Sequence, residues 1–405
     1  MSDNFFKNFF PWLIGTIVCL VIFYEQNLSR IFFPLIFVTF FAFFYYYFQF
    51  KKIEYILFFS ISVASVFGLT ETLTGFNAET TSILLFGLSF YSASIAYLIS
   101  IGAFNYSKVL TVSNPLLLST GPIALFIKPI FHKKIKNRFK YYFPFMIIGI
   151  FMIKVAGVPL TEFFFLIEKT DVLSTLIFAT IFEVFVYMNF CGLSLTLYGF
   201  FGVIGYRIPL NFKQPFSSNN IIEFWRGWHT SLSQVLKVLF YQKLRTKFSL
   251  FVTLVGVYLS SAMWHGVSLN FFIWGLFHAF FFWLTIKLLK LGNRLIAIIL
   301  MPFIVIIGRL IFSDNNIDRL FEKFFFSYDG TEVMMSILSV SLHSQVALFF
   351  GLLFIFFEFA FKNFKIMHKR NYKYLRSPLA LCILCLLGIL FLSNVGQEYA
   401  VYGQR

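Results

Sequence analysis

Leu295-Ile296-Ala297-Ile298-Ile299-Leu300-Met301-Pro302-Phe303-Ile304-Val305-Ile306-Ile307-Gly308-Arg309-Leu310-Ile311-Phe312 is an apolar run interrupted by one charge, Arg309. A helix that crosses the hydrocarbon core of a bilayer needs about 20 largely apolar residues, somewhat fewer inside a bundle. This run therefore reads as a membrane span, and the chain repeats the pattern. Similar runs lie near Asn8–Tyr24, Ile31–Phe50, Ile53–Leu69, Thr81–Phe104, Tyr141–Val155 and Leu173–Leu197. Others lie near Phe248–Met263, Asn270–Leu289, Val346–Phe361 and Leu379–Leu392. The expected fold is an all-α polytopic membrane protein with about eleven transmembrane helices. No internal repeat is visible. Asn8–Tyr24 is short enough for a signal peptide, but no A-x-A-like site follows, so it is expected to stay as an uncleaved first span.

Composition agrees. Of 405 residues, 59% are hydrophobic and 12% charged, whereas soluble domains carry about a quarter charged residues. The net charge of +16 does not suggest nucleic acid, because the basic residues fall in short loops as the positive-inside rule expects. Segment Asn105–Lys140 carries Lys108, Lys128, Lys133, Lys134, Lys136, Arg138 and Lys140 without an acid, and Lys362–Arg376 is basic in the same way. The alternate loops hold Glu71 and Glu79, then Glu162, Glu168 and Asp171, then Asp314, Asp318, Glu322, Asp329 and Glu332. A cytoplasmic N-terminus and an extracytoplasmic C-terminus follow.

Two stretches fit neither span nor ordinary loop. Leu116–Ile127 contains Ser119-Thr120-Gly121-Pro122-Ile123, and Asn189–Phe216 contains Gly192, Gly199, Gly202, Gly205 and Pro209. Broken backbone at membrane depth is tolerated where protein or a water-filled cavity covers it. These are candidate re-entrant elements, or simply Gly/Pro-rich connections. Ile222–Phe240 reads as one amphipathic helix on the inner membrane surface, because Phe224, Trp228, Leu232, Val235 and Leu239 recur at helical spacing.

Two histidines stand out because an ionisable group at membrane depth is a functional-site hypothesis. His229 lies in Phe224-Trp225-Arg226-Gly227-Trp228-His229-Thr230-Ser231, and beside an aromatic stripe it is either a structural or a functional imidazole. His265 lies in Met263-Trp264-His265-Gly266, at the outer end of a span, with Ser260, Ser261, Ser268 and Asn270 nearby. A neutral imidazole there accepts a proton as a general base does; a structural loop histidine is the alternative. Glu183, Glu358, Lys154 and Arg309 lie within expected spans and must be paired or face a cavity. His278 reads as a packed, hydrogen-bonded core histidine, and His132, His343 and His368 as solvated loop residues. Cys19, Cys191, Cys382 and Cys385 read as small packing residues, and no metal site is evident.

The chain resembles the membrane-bound O-acyltransferases, more narrowly the bacterial branch of alginate O-acetylases and teichoic-acid D-alanyl transferases. Phe224–Ser233 is similar to the family's Trp-Arg-x-Trp-His-x-Ser-Leu-Ser motif. Trp264-His265-Gly266, followed by Trp274-Gly275-Leu276-Phe277-His278, is similar to its Trp-His-Gly motif. Val186–Gly199 with Gly205–Phe216 resembles its central segment, and Leu117–Ile123 its Gly-Pro-Ile segment. The likeness covers roughly Asn114–Asp314. Departures are Asn189, Leu193 and Leu195, where the family has an Asp, a Tyr and a second acid, a short Tyr241–Lys247, and Ser313 where an Arg is common.

The resemblance implies that His265 is catalytic and His229 a second essential residue. Trp264, Trp225, Arg226, Trp228, Asn189, Glu183, Asn270 and Asn211 are then expected to line a central tunnel or bind substrate. It implies one membrane domain over 1–405, with N-terminal spans in 1–104, a catalytic core in 105–313, and an extracytoplasmic loop and C-terminal spans in 314–405. The implied activity moves a short acyl group, acetyl first, from a cytoplasmic acyl-CoA or acyl carrier protein thioester to an extracytoplasmic envelope polysaccharide. The location is the cell (inner) membrane, among membrane lipid, and an extracytoplasmic esterase-like protein is the expected partner. D-alanyl transfer to teichoic acid is one alternative, and a transporter of a lipid-linked saccharide is another. The transporter reading is weakened by the lack of two similar halves.

Overall fold

A computed structural model describes residues 9–18, 52–66, 78–118, 121–166, 172–313, 338–363 and 378–392. The described residues are mostly helical. The principal helices are α1 (Phe9–Val18), α2 (Ile53–Val66), α3 (Ala78–Ser100), α4 (Ile135–Lys154), α5 (Val172–Ile204), α6 (Ile221–Gly227) and α7 (Thr230–Leu236). They continue with α8 (Leu250–His265), α9 (Leu269–Lys290), α10 (Arg294–Ser313), α11 (Leu342–Asn363) and α12 (Pro378–Leu392). Each expected span other than Ile31–Phe50 overlaps one of these helices where its residues are described; Ile31–Phe50, and the parts of Asn8–Tyr24 and Ile53–Leu69 beyond Val18 and Val66, lie outside the described residues. Five segments among the described residues are long and apolar enough to cross a membrane: Ile135–Glu162, Val172–Ile204, Leu269–Lys290, Arg294–Ser313 and Leu342–Ala360. Most of the acidic loop residues, His368, Cys19 and the basic segment beyond Asn363 also lie outside the described residues.

The longest helix organises the rest. At 1.5 Å per residue, the 33 residues of α5 span about 50 Å, well beyond the ~30 Å of a hydrocarbon core. It packs against α4, α10 and α11, while α8, α9 and α10 pack in succession and α2 joins α3 to α8. The central glycines do not break α5, contrary to expectation; the helix runs through Gly192, Gly199 and Gly202 and ends at Gly205. Their use is close approach. A Cβ at Gly199 would stand 2.4 Å from the backbone nitrogen of Met146, and one at Gly192 2.8 Å from the Gly149 carbonyl oxygen. Small residues that let two backbones touch drive helix association in membranes, where burial of apolar surface does not.

Beyond Gly205 the chain turns, and Tyr206–Arg207 pairs antiparallel with Lys128–Pro129. This two-residue ladder, unexpected in an all-α reading, ties the two irregular stretches to each other. Ile130 N–H also bonds the Gly205 carbonyl at 2.8 Å.

Ile222–Phe240 is not one interfacial helix. Trp228 is extended (φ −88°, ψ 126°), His229 is left-handed (φ 46°, ψ 56°), and Lys237–Tyr241 is a π-helical turn. The stripe residues Phe224, Val235 and Leu239 are buried, at 2%, 0% and 0% exposure. Helices α6 and α7 are instead a bent wedge among α3, α8, α9 and α10. Lys154, by contrast, is exposed at the end of α4 and needs no intrabundle partner.

Candidate active site

The bend in the wedge presents His229. Helix α6 closes with Trp228 N–H on the Phe224 carbonyl (2.9 Å), and α7 starts afresh one residue later. A new helix leaves its first N–H groups without intrahelical partners, and the segment Leu210–Asn211 supplies them. Thr230 N–H bonds the Asn211 carbonyl (2.8 Å), and Thr230 Oγ1 donates to the Leu210 carbonyl (2.9 Å). Asn211 Oδ1 accepts from both Ser231 N–H (3.0 Å) and Ser231 Oγ (2.8 Å). Its Nδ2 lies 3.5 Å from His229 Nδ1. A left-handed residue with a Cβ costs of order 1 kcal/mol, and this bonding offsets it.

Around the His229 ring the packing is tight. Phe90 stacks on it at 5.4 Å and Phe212 meets it edge-on at 6.1 Å. Gly121, from the Gly-Pro-Ile segment, closes a third side. Its φ is +108°, and a Cβ there would lie 2.5 Å from His229 Cε1 and 3.0 Å from Nε2. Burial pushes the His229 pKa down to about 4, because the charged imidazolium is poorly solvated. The ring is therefore neutral at neutral pH.

His265 is the last residue of α8, turned among rings from three elements: Trp264 (4.9 Å), Phe312 (5.1 Å), Trp274 (5.9 Å) and Phe271 (6.2 Å). Gly266 is extended, and its small size serves space rather than a turn, since a Cβ would meet Phe271 at 2.6 Å. Both histidines line one cavity of about 680 Å³. Two motifs separated by 36 positions thus converge on one internal surface.

The remaining expected site residues divide. Trp225, Arg226, Trp228 and Glu183 line the same cavity. Trp264, Asn189, Asn270 and Asn211 are not among its lining residues. Trp264 packs in the core against Phe58 and Phe90, while its carbonyl accepts from Ser62 Oγ at 2.8 Å and its Nε1 donates to the Ser89 carbonyl at 3.4 Å. Asn189 turns back on its own helix, donating to the Phe185 carbonyl at 2.8 Å. Asn270 accepts from Ser268 Oγ and donates to the Ile311 and Phe312 carbonyls (3.2 and 3.4 Å), clamping the start of α9 to the end of α10. Asn211 acts one step removed, as the support of His229.

His278 and Arg309 line the cavity as well, although neither belongs to the set expected to line a tunnel. His278 is buried, but its Nδ1 has no hydrogen-bond partner among the described residues, so it is not the satisfied core histidine expected. Its ring stands 4.7 Å from Trp274 and 5.0 Å from Trp225. The signal was present: Trp274 and His278 are one helical turn apart on the helix that follows His265. Arg309 also lines the cavity and is paired with Glu183. Glu358 is bonded by Tyr187 Oη and by the Phe216 N–H (3.3 Å), which pins α11 to α5 and to the 212–217 loop. Among the described residues no group of three His, Cys, Asp or Glu side chains is placed to hold a metal ion.

The arrangement offers a neutral imidazole, a second half-buried imidazole, an ion pair and an aromatic wall around an internal volume. That set suits proton transfer. Residues 112–311 match the sequence model of the family described as MBOAT, membrane-bound O-acyltransferase family. A probable alginate O-acetylase of Azotobacter vinelandii is 34% identical over 158 residues, covering 36% of this chain and 31% of the relative. A peptidoglycan O-acetyltransferase of Helicobacter pylori is 36% identical over 98 residues, 23% and 18% of the two chains. A teichoic acid D-alanyltransferase of Bacillus subtilis is 27% identical over 140 residues, 31% and 35%. The matches thus span about a third or less of these relatives' own length. The family and these named relatives are O-acyltransferases. Residues 112–311, the stretch similar to the membrane-bound O-acyltransferase family, hold both histidines and every lining residue of the cavity except Phe312.

Proposed function

We propose that the chain transfers a short acyl group, acetyl first, from a thioester donor to a hydroxyl of a cell-envelope polysaccharide or of a partner protein. The observation that carries this reading is the convergence of His229 and His265 on one cavity within the family-matched region. The acceptor hydroxyl gives its proton to His265 as its oxygen attacks the thioester carbonyl. His229 and its Asn211 support hold the donor or relay the proton. Proton transfer of this kind contributes about 10²–10⁴-fold.

In this reading residues 105–313 form the catalytic core of a single membrane domain in the cell membrane. The cavity is the middle of a passage, with acyl-CoA or an acyl carrier protein entering from the cytoplasm and the acceptor from the other side. The positive-inside pattern supports an inner N-terminus and an outer C-terminus. An extracytoplasmic esterase-like protein completes the transfer. D-alanyl transfer to teichoic acid is the second reading, favoured by the likeness to the D-alanyltransferase.

The test is mass spectrometry of envelope polymers from a deletion strain complemented with the wild-type chain or with His265→Ala. Acetyl esters restored by the wild type and absent with His265→Ala support the proposal. D-alanyl esters behaving in that way select the second reading, and restoration by His265→Ala overturns the assignment of the base.

A further inference from the structure

Arg309 is the single charge in the α10 run, and its position in the cavity has a chemical use. Its Nε donates to Glu183, whose side chain is 5% accessible while that of Arg309 is 13% accessible. Glu183 is its hydrogen-bond partner among the described residues, so the two Nη groups keep their N–H donors. The guanidinium carbon lies 5.6 Å from the Trp228 ring centre and 5.5 Å from that of Phe312. Trp228 precedes His229, and the Phe312 ring meets the His265 ring edge-on at 5.1 Å. The cation therefore sits between the two histidine modules, held on one edge by a carboxylate and flanked by two aromatic rings.

A buried ion pair is a poor stabilising device, because desolvation offsets most of its attraction. A guanidinium with unspent donors in a low-dielectric cavity is well suited to receive negative charge developing on an oxygen.

We infer that Arg309, oriented by Glu183, is a catalytic residue that donates to the carbonyl oxygen of the acyl thioester as that oxygen becomes anionic. This rests on the acyl-transfer reading above. The acceptor oxygen forms a bond to the carbonyl carbon, its proton passes to His265, and the carbonyl π pair moves onto the oxygen facing Arg309. Collapse re-forms the carbonyl and expels the thiolate, which takes the proton back from His265. Glu183 is a positioning residue, because it touches Arg309 and not the reacting atoms.

The experiment uses membranes holding the full chain, radiolabelled acetyl-coenzyme A as the donor probe, and ester-bound acetyl per chain as the readout. Arg309→Gln is expected to lower the maximal rate about 100-fold or more, with the half-saturating donor concentration within about threefold of wild type. Arg309→Gln alone leaves Glu183 as an uncompensated buried carboxylate and risks misfolding. The paired variant Glu183→Gln/Arg309→Gln removes both charges and is expected to accumulate normally yet remain as slow. Restoration of the rate to within about fivefold of wild type in the paired variant would show a merely structural ion pair and overturn the inference. A raised half-saturating concentration at unchanged maximal rate would assign Arg309 to ground-state binding and overturn it too. Absence of any acetyl transfer by the wild type removes the acyl-transfer reading itself, a different outcome from either.

Discussion

His229 is a histidine in a backbone conformation better suited to glycine or asparagine, and three neighbours keep it there. Replacing Asn211 with Ala removes both bonds to Ser231 and is expected to cost about 1–3 kcal/mol, read as a lower midpoint of thermal inactivation in detergent together with slower acyl transfer. Gly121→Ala adds a methyl group 2.5 Å from His229 Cε1 at a φ that residues with a Cβ rarely adopt. Transfer is expected to fall at least tenfold with the chain still inserted; unchanged turnover would show that the ring is not placed by this contact. The depressed His229 pKa has a sign that is open to test. Unfolding returns the ring to an ordinary pKa near 6.5, so between about pH 6.5 and 4 the unfolded chain binds a proton that the folded chain refuses. Stability is thus present above that window and lost as pH falls through it. The drop in thermal midpoint from pH 7 to pH 5 should be smaller in His229→Asn than in wild type.

Helices dominate at the next scale, and they were the most legible part of the chain. Runs such as Leu295–Phe312 announce themselves, because lipid demands about 20 apolar residues whatever surrounds them. What surrounds them was harder to read. The glycines of α5 look like helix breakers in isolation, yet a helix in a bundle keeps its hydrogen bonds through glycine and uses the missing side chain for contact. Gly199→Ala is accordingly expected to push α4 off α5 and to lower the thermal midpoint, at a cost of about 1–3 kcal/mol, whereas a helix break at that position would tolerate alanine. The wedge of α6 and α7 was hidden for the opposite reason. Its apolar residues recur at helical spacing through Trp228 and Leu232, and periodicity does not register one left-handed residue, His229, before a new helix start whose Thr230 and Ser231 bond Leu210 and Asn211 some twenty positions earlier. His265 and His229 were visible as residues out of place in an apolar chain. Asn189, Asn270 and Trp264 stand out in the sequence as polar or motif residues, but what each touches depends on helix rotation, which spacing alone does not fix. Arg309 was visible as a charge needing a partner, and only packing showed that the partner is Glu183 and that both line the cavity.

Across the whole molecule, one internal volume draws on helices α5 to α10, and a residue from the Gly-Pro-Ile segment packs behind one of its histidines. In the proposed reaction the two histidines of this volume work in a single step. A double-mutant cycle tests this most directly, comparing kcat/KM for acetyl transfer in wild type, His229→Ala, His265→Ala and the double variant. Residues acting as one unit are strongly non-additive. The double variant is predicted to be no more than about threefold slower than the slower single variant. Losses that multiply in full, or a His265→Ala variant that turns over near the wild-type rate, would contradict it.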